Sequence, residues 1–203
     1  MEEISFASQL LQYTITGITV GSIYAMVAIG FSVIYNVTEA INFAQGEFVM
    51  LGGLIMVFLQ VALHIPLVFS FALTIVVVTV VGILLHRLAI RPIREPSVLS
   101  MIIATIGASF FIRGAAMFIW GKDPFDLPPF SGRNPIAFYG AMIQPQSLWV
   151  VGFLVAALRA CAVNPSASSL VGINVNYMIL LSFALSAAIG AIGGIVITPI
   201  SLM

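Results

Sequence analysis

Three polar side chains crowd one short stretch of an otherwise apolar sequence. In AINFAQGEF, residues 40–48, Asn42, Gln45 and Glu47 lie within six residues, and Glu39 comes just before them. Amides donate and accept hydrogen bonds, while a carboxylate accepts them, pairs with a cation or carries a proton. Three interpretations fit: a solvated loop between two spans, a broken helix whose polar groups face a translocation path, or a pair of enzymatic carboxylates.

The composition indicates that this stretch belongs to a membrane protein. The chain has 203 residues, of which 61% are hydrophobic and 7% charged, whereas soluble domains carry roughly 25% charged residues. The formal net charge is zero, which gives no reason to expect a nucleic-acid partner. Cys161 is the only cysteine, so no disulfide framework or thiolate metal site is expected. We therefore expect an all-α, polytopic transmembrane helix bundle with no bound metal or cofactor.

The spans can be located by length, because a transmembrane helix needs about 20 mostly apolar residues. Only helices satisfy their own backbone hydrogen bonds in hydrocarbon, so each qualifying segment is predicted to be helical. Four segments qualify: Leu10–Tyr35, Leu67–Leu85, Val98–Trp120 and Tyr177–Ile197.

A fifth segment, Phe48–Leu63, favours the broken-helix interpretation. It reaches spanning length only if its helix begins near Ile41, inside the polar stretch. Such a helix would place Asn42 and Gly46 on one face and Glu47 about one turn inside the helix. Discontinuous helices in transporters present polar groups to the substrate near the middle of the membrane.

Small residues recur at every fourth position in three spans, a spacing that lets helix backbones approach closely in lipid. The stripes are Gly17, Gly21, Ala25; Ser100, Ala104, Ala108; and Ser182, Ser186, Gly190, Gly194. Arg113 lies two-thirds of the way along its span, where two roles fit. It would either snorkel to the outer headgroups or serve as an internal partner for Glu47 or for a substrate carboxylate.

The orientation follows from the basic residues of short loops, which stay in the cytoplasm. Three of the seven basic residues lie within residues 86–97, which are predicted to form a cytoplasmic loop. Alternation of spans then puts the N-terminus and the loop of residues 121–147 outside, and the loop of residues 159–176 in the cytoplasm.

Three collinear blocks give the sequence a family resemblance. Gly21–Gly53, with GSIYAMVAIGFSVIYN followed by INFAQGE, resembles the N-terminal signature of the permease subunits of branched-chain amino acid ABC transporters. Arg87–Arg113 is similar to the second block of that family, and Leu158–Asn176 resembles its cytoplasmic loop. The resemblance implies an import permease whose polar break lies near the substrate path, lined or shaped by Asn42, Gln45, Gly46 and Glu47.

A short helix is predicted inside the second cytoplasmic loop. Asn164 is a good N-cap, Pro165 suits the first helical position, and Gly172 is placed as a terminator. By themselves these residues fit an interfacial turn and a docking helix equally well. The resemblance implies a coupling helix that contacts a separate ATPase. Its docking residues are Asn164, Pro165, Ala167, Leu170, Val171, Gly172 and Ile173.

The chain also departs from the family pattern. Ser166, Ser168 and Ser169 stand where family members commonly carry charges, so apolar docking is expected. The apolar element Leu148–Leu158 rises only about 17 Å as a helix, as if a piece before Arg159 were missing. Family members continue past residue 203, so residues 1–203 are expected to form one partial permease domain.

The sequence predicts a subunit of an ATP-driven importer for branched-chain or related amino acids in the cell inner membrane. No G-x-x-x-x-G-K-[ST] motif occurs, so the chain is not expected to be an enzyme, and ATP hydrolysis is assigned to separate ATP-binding subunits. The other expected partners are a second permease subunit, identical or homologous, an external substrate-binding protein and membrane lipid. Two alternatives stay open: an ion or small-solute channel not driven by ATP, and an intramembrane enzyme using Glu47.

Overall fold

Helices account for almost all of the regular structure in a computed structural model of the chain, which describes residues 6–93, 97–122, 126–161 and 175–200. Five of the described helices are long and apolar enough to cross a membrane. These findings confirm the prediction of an all-α polytopic bundle. The elements are α1 (Phe6–Thr38), α2 (Gln45–Val57), α3 (Leu67–Leu85), α4 (Val98–Trp120), β1 (Ile136–Phe138), β2 (Ala141–Ile143), α5 (Pro145–Cys161) and α6 (Val175–Ile197).

Two helices continue beyond their α-helical part through a wider π-helical segment. Phe58–Ala62 extends α2 and His86–Ile90 extends α3. The predicted loop of residues 86–97 therefore begins as helix. The bundle end that carries Arg87 and Arg91 is called the arginine end below. At that end α1 and α3 finish and α4 and α6 begin.

The opposite end of the bundle is called the hairpin end, because β1 and β2 form an antiparallel hairpin there, within residues 121–147. Tyr139 and Gly140 form the turn with φ angles of 47° and 80°, the left-handed backbone that two-residue hairpin loops require. The side chain of Gln12, near the start of α1, exchanges two hydrogen bonds with the backbone of Met142. The hairpin is thus attached to α1.

Local signals explain where several helices begin and end. The Ser97 hydroxyl accepts a hydrogen bond from the Ser100 amide at 3.1 Å and caps α4. Helix α1 stops where Glu39 adopts a positive φ of 55°, a conformation that ends many helices. His64 does the same after α2, with a φ of 54°.

The core of the bundle is the contact of α6 with α1, α2 and α3. A Cβ added at Gly194 would overlap the Val49 carbonyl of α2, and one added at Gly190 would lie 2.8 Å from Phe48 Cβ. The predicted small-residue stripe of α6 is therefore a close helix contact. The stripe of α1 is not one within the described protomer, because Cβ atoms at Gly17 and Gly21 would meet nothing within 4 Å.

Helices α1 and α6 extend two to four residues beyond the predicted segments Leu10–Tyr35 and Tyr177–Ile197. The boundaries of α2 and α5 also differ from those predicted. Helix α2 begins at Gln45 rather than near Ile41, so Asn42 lies in the connection before the helix and shares no helical face with Gly46. Helix α5 has 17 residues and runs from Pro145 to Cys161, which gives it a length of about 26 Å. Pro145 opens the helix because a first-turn position needs no backbone N–H donor.

Candidate functional site

The Glu47 carboxylate joins α2 to α4 through an ion pair. Its Oε1 atom accepts hydrogen bonds from Arg113 Nη2 at 2.6 Å and from the Ser109 hydroxyl at 2.8 Å. Only 4% of the Glu47 side chain is exposed, against 54% of the Arg113 side chain. Of the two roles considered for Arg113, the structure thus selects the internal partner of Glu47. The rest of its guanidinium faces outward from the protomer.

Gln45 ties α2 to α1 and α6. The side chain is fully buried, and its Nε2 donates to the Ser186 carbonyl at 3.3 Å. The Ser186 hydroxyl lies within hydrogen-bond distance of both Gln45 Oε1 and the Gly30 carbonyl. It has one hydrogen and so donates to one of them at a time. Gly30 leaves room for this arrangement, since a Cβ there would overlap the Gln45 amide.

Asn42 shapes the connection between α1 and α2. Its Oδ1 accepts a hydrogen bond from the Ala44 amide at 3.0 Å, and the residue is 1% exposed. Asn42 Nδ2 has no partner among the described residues and borders a void of about 10 Å³, about the volume that one water needs. The Phe43 amide donates to the Thr105 hydroxyl of α4 at 3.2 Å. These hydrogen bonds satisfy the backbone amides of Phe43 and Ala44 in a connection that lies inside the bundle.

The remaining predicted residue, Gly46, lies on the surface of the protomer. It is exposed, and a Cβ there would meet nothing within 4 Å. The first turn of α2 has Ala44 at the N-cap position, where no side chain caps it. Because helix N-termini carry partial positive charge, this turn favours negative groups, of which Glu47 is one.

The neighbouring helices show how deep this junction lies. At 1.5 Å per residue, Ser109 is about 17 Å from the first residue of α4, and Ser186 is about 17 Å from the first residue of α6. Both helices begin at the arginine end, and the hydrocarbon core is about 30 Å thick. The start of α2 therefore lies near the middle of the membrane.

The structure brings Gln45 and Glu47 into one mid-depth junction, with Asn42 beside it and Gly46 on its outer side. The junction excludes the interpretation of residues 40–48 as a solvated loop. Gln45, Gly46 and Glu47 line none of five pockets found among the described residues. The arrangement binds three helices to α2 and leaves one cationic group, Arg113, available at the protomer surface.

Sequence reasoning missed two partners of the predicted residues, Ser109 and Ser186, and also Thr105, the partner of the neighbouring Phe43. Thr105 and Ser109 precede Arg113 at four-residue spacing on an otherwise apolar span, a polar stripe that the sequence itself contains. Ser186 was assigned only to a stripe of small residues. The seven predicted docking residues within 164–173 lie outside the described residues.

Comparison with known proteins identifies relatives over nearly the whole chain. Residues 13–201 match the family described as branched-chain amino acid transport system / permease component. The chain is 32% identical to the high-affinity branched-chain amino acid transport system permease protein BraD of Pseudomonas aeruginosa, over 92% of this chain and 70% of that protein. It is 30% identical to LivH of Escherichia coli strain K12, a permease protein of the same description, with the same coverage.

A more distant relative is the probable branched-chain amino acid transport permease protein LivH of Methanocaldococcus jannaschii, 26% identical over 85% of this chain and 61% of that protein. No solved structure matches the chain. The BraD alignment covers 216 residues, more than the 203 of this chain, so BraD carries residues within the aligned region that this chain lacks. That they fall before Arg159 stays a prediction.

The family match and the two relatives at 30% identity or more confirm the resemblance found in the three sequence blocks. This chain belongs to the family of branched-chain amino acid transport system permeases.

Proposed function

We propose that this chain is the membrane-spanning permease subunit of an ATP-driven importer that carries branched-chain or related amino acids across the inner membrane. The observation that carries the proposal is the charged junction at mid-depth, where Glu47 holds Arg113 at 2.6 Å. Ionisable groups inside a membrane are expensive and mark translocation routes. The relatives named above support the choice of substrate, since their names specify branched-chain amino acid transport.

The substrate route passes along the outer side of the junction rather than through the protomer. Gly46 and much of Arg113 are exposed there in the isolated protomer, and an exposed guanidinium at membrane depth requires a polar or protein cover. A second permease subunit, identical or homologous, covers this face and completes the route. Asn42, Gln45 and Glu47 shape the route by fixing the start of α2.

The positive charge on this face suits the carboxylate of an amino-acid substrate. Arg113 and the uncapped first turn of α2 attract the substrate carboxylate. The neighbouring exposed side chains of Ile41 and Phe43 suit an aliphatic side chain. Few polar contacts are needed, because a branched-chain substrate contributes mainly apolar surface.

Helix α4 is the element that moves during transport. It is the least buried of the five described spans. Its hydrogen bonds at Ser109 and Arg113 reach Glu47 of α2, and its bond at Thr105 reaches Phe43 in the connection before α2. Polar contacts can be exchanged for others along a hydrated route at small net cost, unlike the close backbone packing of α6. Closure of the ATP-binding subunits would shift α4 relative to α2 and change the side from which the route is open.

The ATP-binding subunits dock on residues 164–173 through apolar contacts of Leu170 and its neighbours. Leu170→Asp should abolish co-purification of the ATPase, because a charge in an apolar groove must be desolvated. Ser168→Asp is the matched control, since it adds the same charge in the same segment at a position outside the proposed contact. Equal retention of the ATPase by both variants would contradict docking through Leu170.

The arginine end faces the cytoplasm, following the distribution of basic residues. The hairpin end and the N-terminus face outward, where a substrate-binding protein delivers the amino acid. The chain binds no cofactor of its own, and ATP is used by the partner subunits.

The test of this function is uptake of labelled L-leucine into vesicles that contain the permease, its co-purified ATPase and the binding protein. Uptake should require ATP on the ATPase side and fall at least tenfold in Glu47→Gln. Equal flux without ATPase subunits would instead indicate a channel. Substrate turnover that disappears with Glu47→Gln would indicate an enzyme.

A further inference from the structure

We infer a second binding site, for a small zwitterion, in a pocket at the hairpin end of the bundle. The pocket has a volume of about 310 Å³ and is lined by Asp126, Arg133, Gln144 and Gln146, with three prolines around them. It lies far along the bundle from the Glu47 junction and shares no residue with it. The inference rests on the proposed function in naming an α-amino acid as the zwitterion and in placing the hairpin end on the side where substrate arrives.

The pocket contains one group of each charge. Arg133 Nη2 donates to Asp126 Oδ2 at 3.1 Å, and both side chains are largely exposed. An exposed ion pair of this kind contributes about 0–1 kcal/mol, so a ligand that offers an ammonium and a carboxylate replaces it at little cost. Arg133 then binds the carboxylate of the ligand, and Asp126 binds its ammonium.

The wall of the pocket is built around a buried amide. Gln146 is 1% exposed, donates from Nε2 to the Val196 carbonyl at 3.0 Å, and accepts from the Phe130 amide at 3.2 Å. An amide has two hydrogens and two acceptor positions, and the two bonds of Gln146 use one of each among the described residues. The bonds to α6 and to the segment before the hairpin hold this amide in place.

Size and surroundings favour an amino acid over a simple ion. Ligand pockets have volumes of roughly 300–1,000 Å³, and this pocket lies at the lower limit, suited to a small molecule. Pro129, Pro145 and Pro199 also line the pocket and supply apolar surface for the aliphatic side chain of the ligand. A lone anion or cation would leave one of the two charged side chains without a partner, whereas a zwitterion satisfies both.

The consequence is a holding site ahead of the membrane route. A substrate released at the hairpin end meets Asp126 and Arg133 before it reaches Arg113 near the middle of the membrane. The outer site would raise the local concentration of zwitterions over that of singly charged analogues. It would thereby contribute to selection before any helix moves.

The experiment measures equilibrium binding of tritiated L-leucine to the full chain in liposomes, in a Glu47→Gln, Arg113→Gln background that removes the cation of the membrane route without leaving Glu47 as an unpaired buried charge. We expect saturable binding that weakens at least tenfold in Arg133→Gln and in Asp126→Asn. Lys122→Gln is the matched control, because Lys122 is an exposed basic residue of the same region that does not line the pocket. Lys122→Gln should bind L-leucine as tightly as the background variant without this change.

Two competitors test the zwitterion requirement. The carboxylate 4-methylpentanoate and the amine 3-methylbutylamine each lack one charge, and each should compete at least tenfold more weakly than L-leucine. Absence of saturable leucine binding, or binding unaffected by Arg133→Gln and Asp126→Asn, would overturn the inference. Failure of the proposed function gives a different result: outer-site binding intact in a complex that shows no ATP-driven uptake.

Discussion

Gly30 provides the sharpest test of the mid-membrane junction. A methyl group added there would overlap the Gln45 amide, which is the far end of a flexible side chain. The side chain can swing away, so the cost of Gly30→Ala is the loss of hydrogen bonds rather than a backbone clash. Gly21→Ala is the matched control, because it lies in the same helix and its Cβ would meet nothing within 4 Å.

The expected magnitude follows from the bonds that Gln45 loses. Its amide interacts with the carbonyl and the hydroxyl of Ser186. A buried polar group left without a partner costs about 1–3 kcal/mol. Two such losses make the free energy of unfolding of Gly30→Ala about 2–6 kcal/mol lower than that of Gly21→Ala. Helix propensity cancels, because both variants replace glycine with alanine in α1.

The assay is an SDS titration of the purified chain, followed by circular dichroism, for each variant with and without Gln45→Ala. With Gln45 truncated there is no amide to displace, so the difference between Gly30→Ala and Gly21→Ala should fall below about 1 kcal/mol. An equal difference in both backgrounds would refute the assignment of the effect to Gln45.

Two further variants probe the packing and the ion pair. Gly194→Ala should prevent assembly of the bundle, because its Cβ would overlap a backbone carbonyl of α2. Gly152→Ala is the control and should purify normally, because its Cβ would meet nothing within 4 Å. Equal yields of the two variants on size-exclusion chromatography would contradict the close α2–α6 contact. Glu47→Met should lower the unfolding midpoint more than the double variant Glu47→Met, Arg113→Met does, because the single change leaves an unpaired charge at membrane depth. A midpoint lower in the double variant than in the single one would argue against the pair.

Much of the bundle follows from apolar length alone. The predicted bounds of α3 and α4 are those of the two α-helices, although the helix of α3 continues through His86–Ile90, where the sequence predicted a loop. Helix α5 was predicted too short because its first turn, from Pro145, is polar and lies beside a proline-rich segment. Hydropathy does not detect a polar helix turn that follows a proline-rich segment.

The candidate site was predicted in part. The polar stretch predicted a broken helix near Asn42, because unpaired amides are unfavourable in hydrocarbon. It did not show that Gln45 bonds to Ser186, since contacts between residues 141 positions apart depend on how α2 and α6 pack. The sequence left two roles open for Arg113, and pairing with Glu47 was one of them. The choice between them depends on the depth at which α2 begins, which the sequence does not determine.

The most direct measurement of the central claim is the reactivity of a cysteine placed at the outer side of the junction. Gly46→Cys in a Cys161→Ser background gives a single thiol at an exposed position with room for a side chain. In the assembled transporter, saturating L-leucine should slow its modification by a water-soluble maleimide at least fivefold, because substrate occupies the route beside Gly46. A rate unchanged by L-leucine, or a thiol reactive only to lipid-soluble reagents, would mean that no substrate route borders the start of α2.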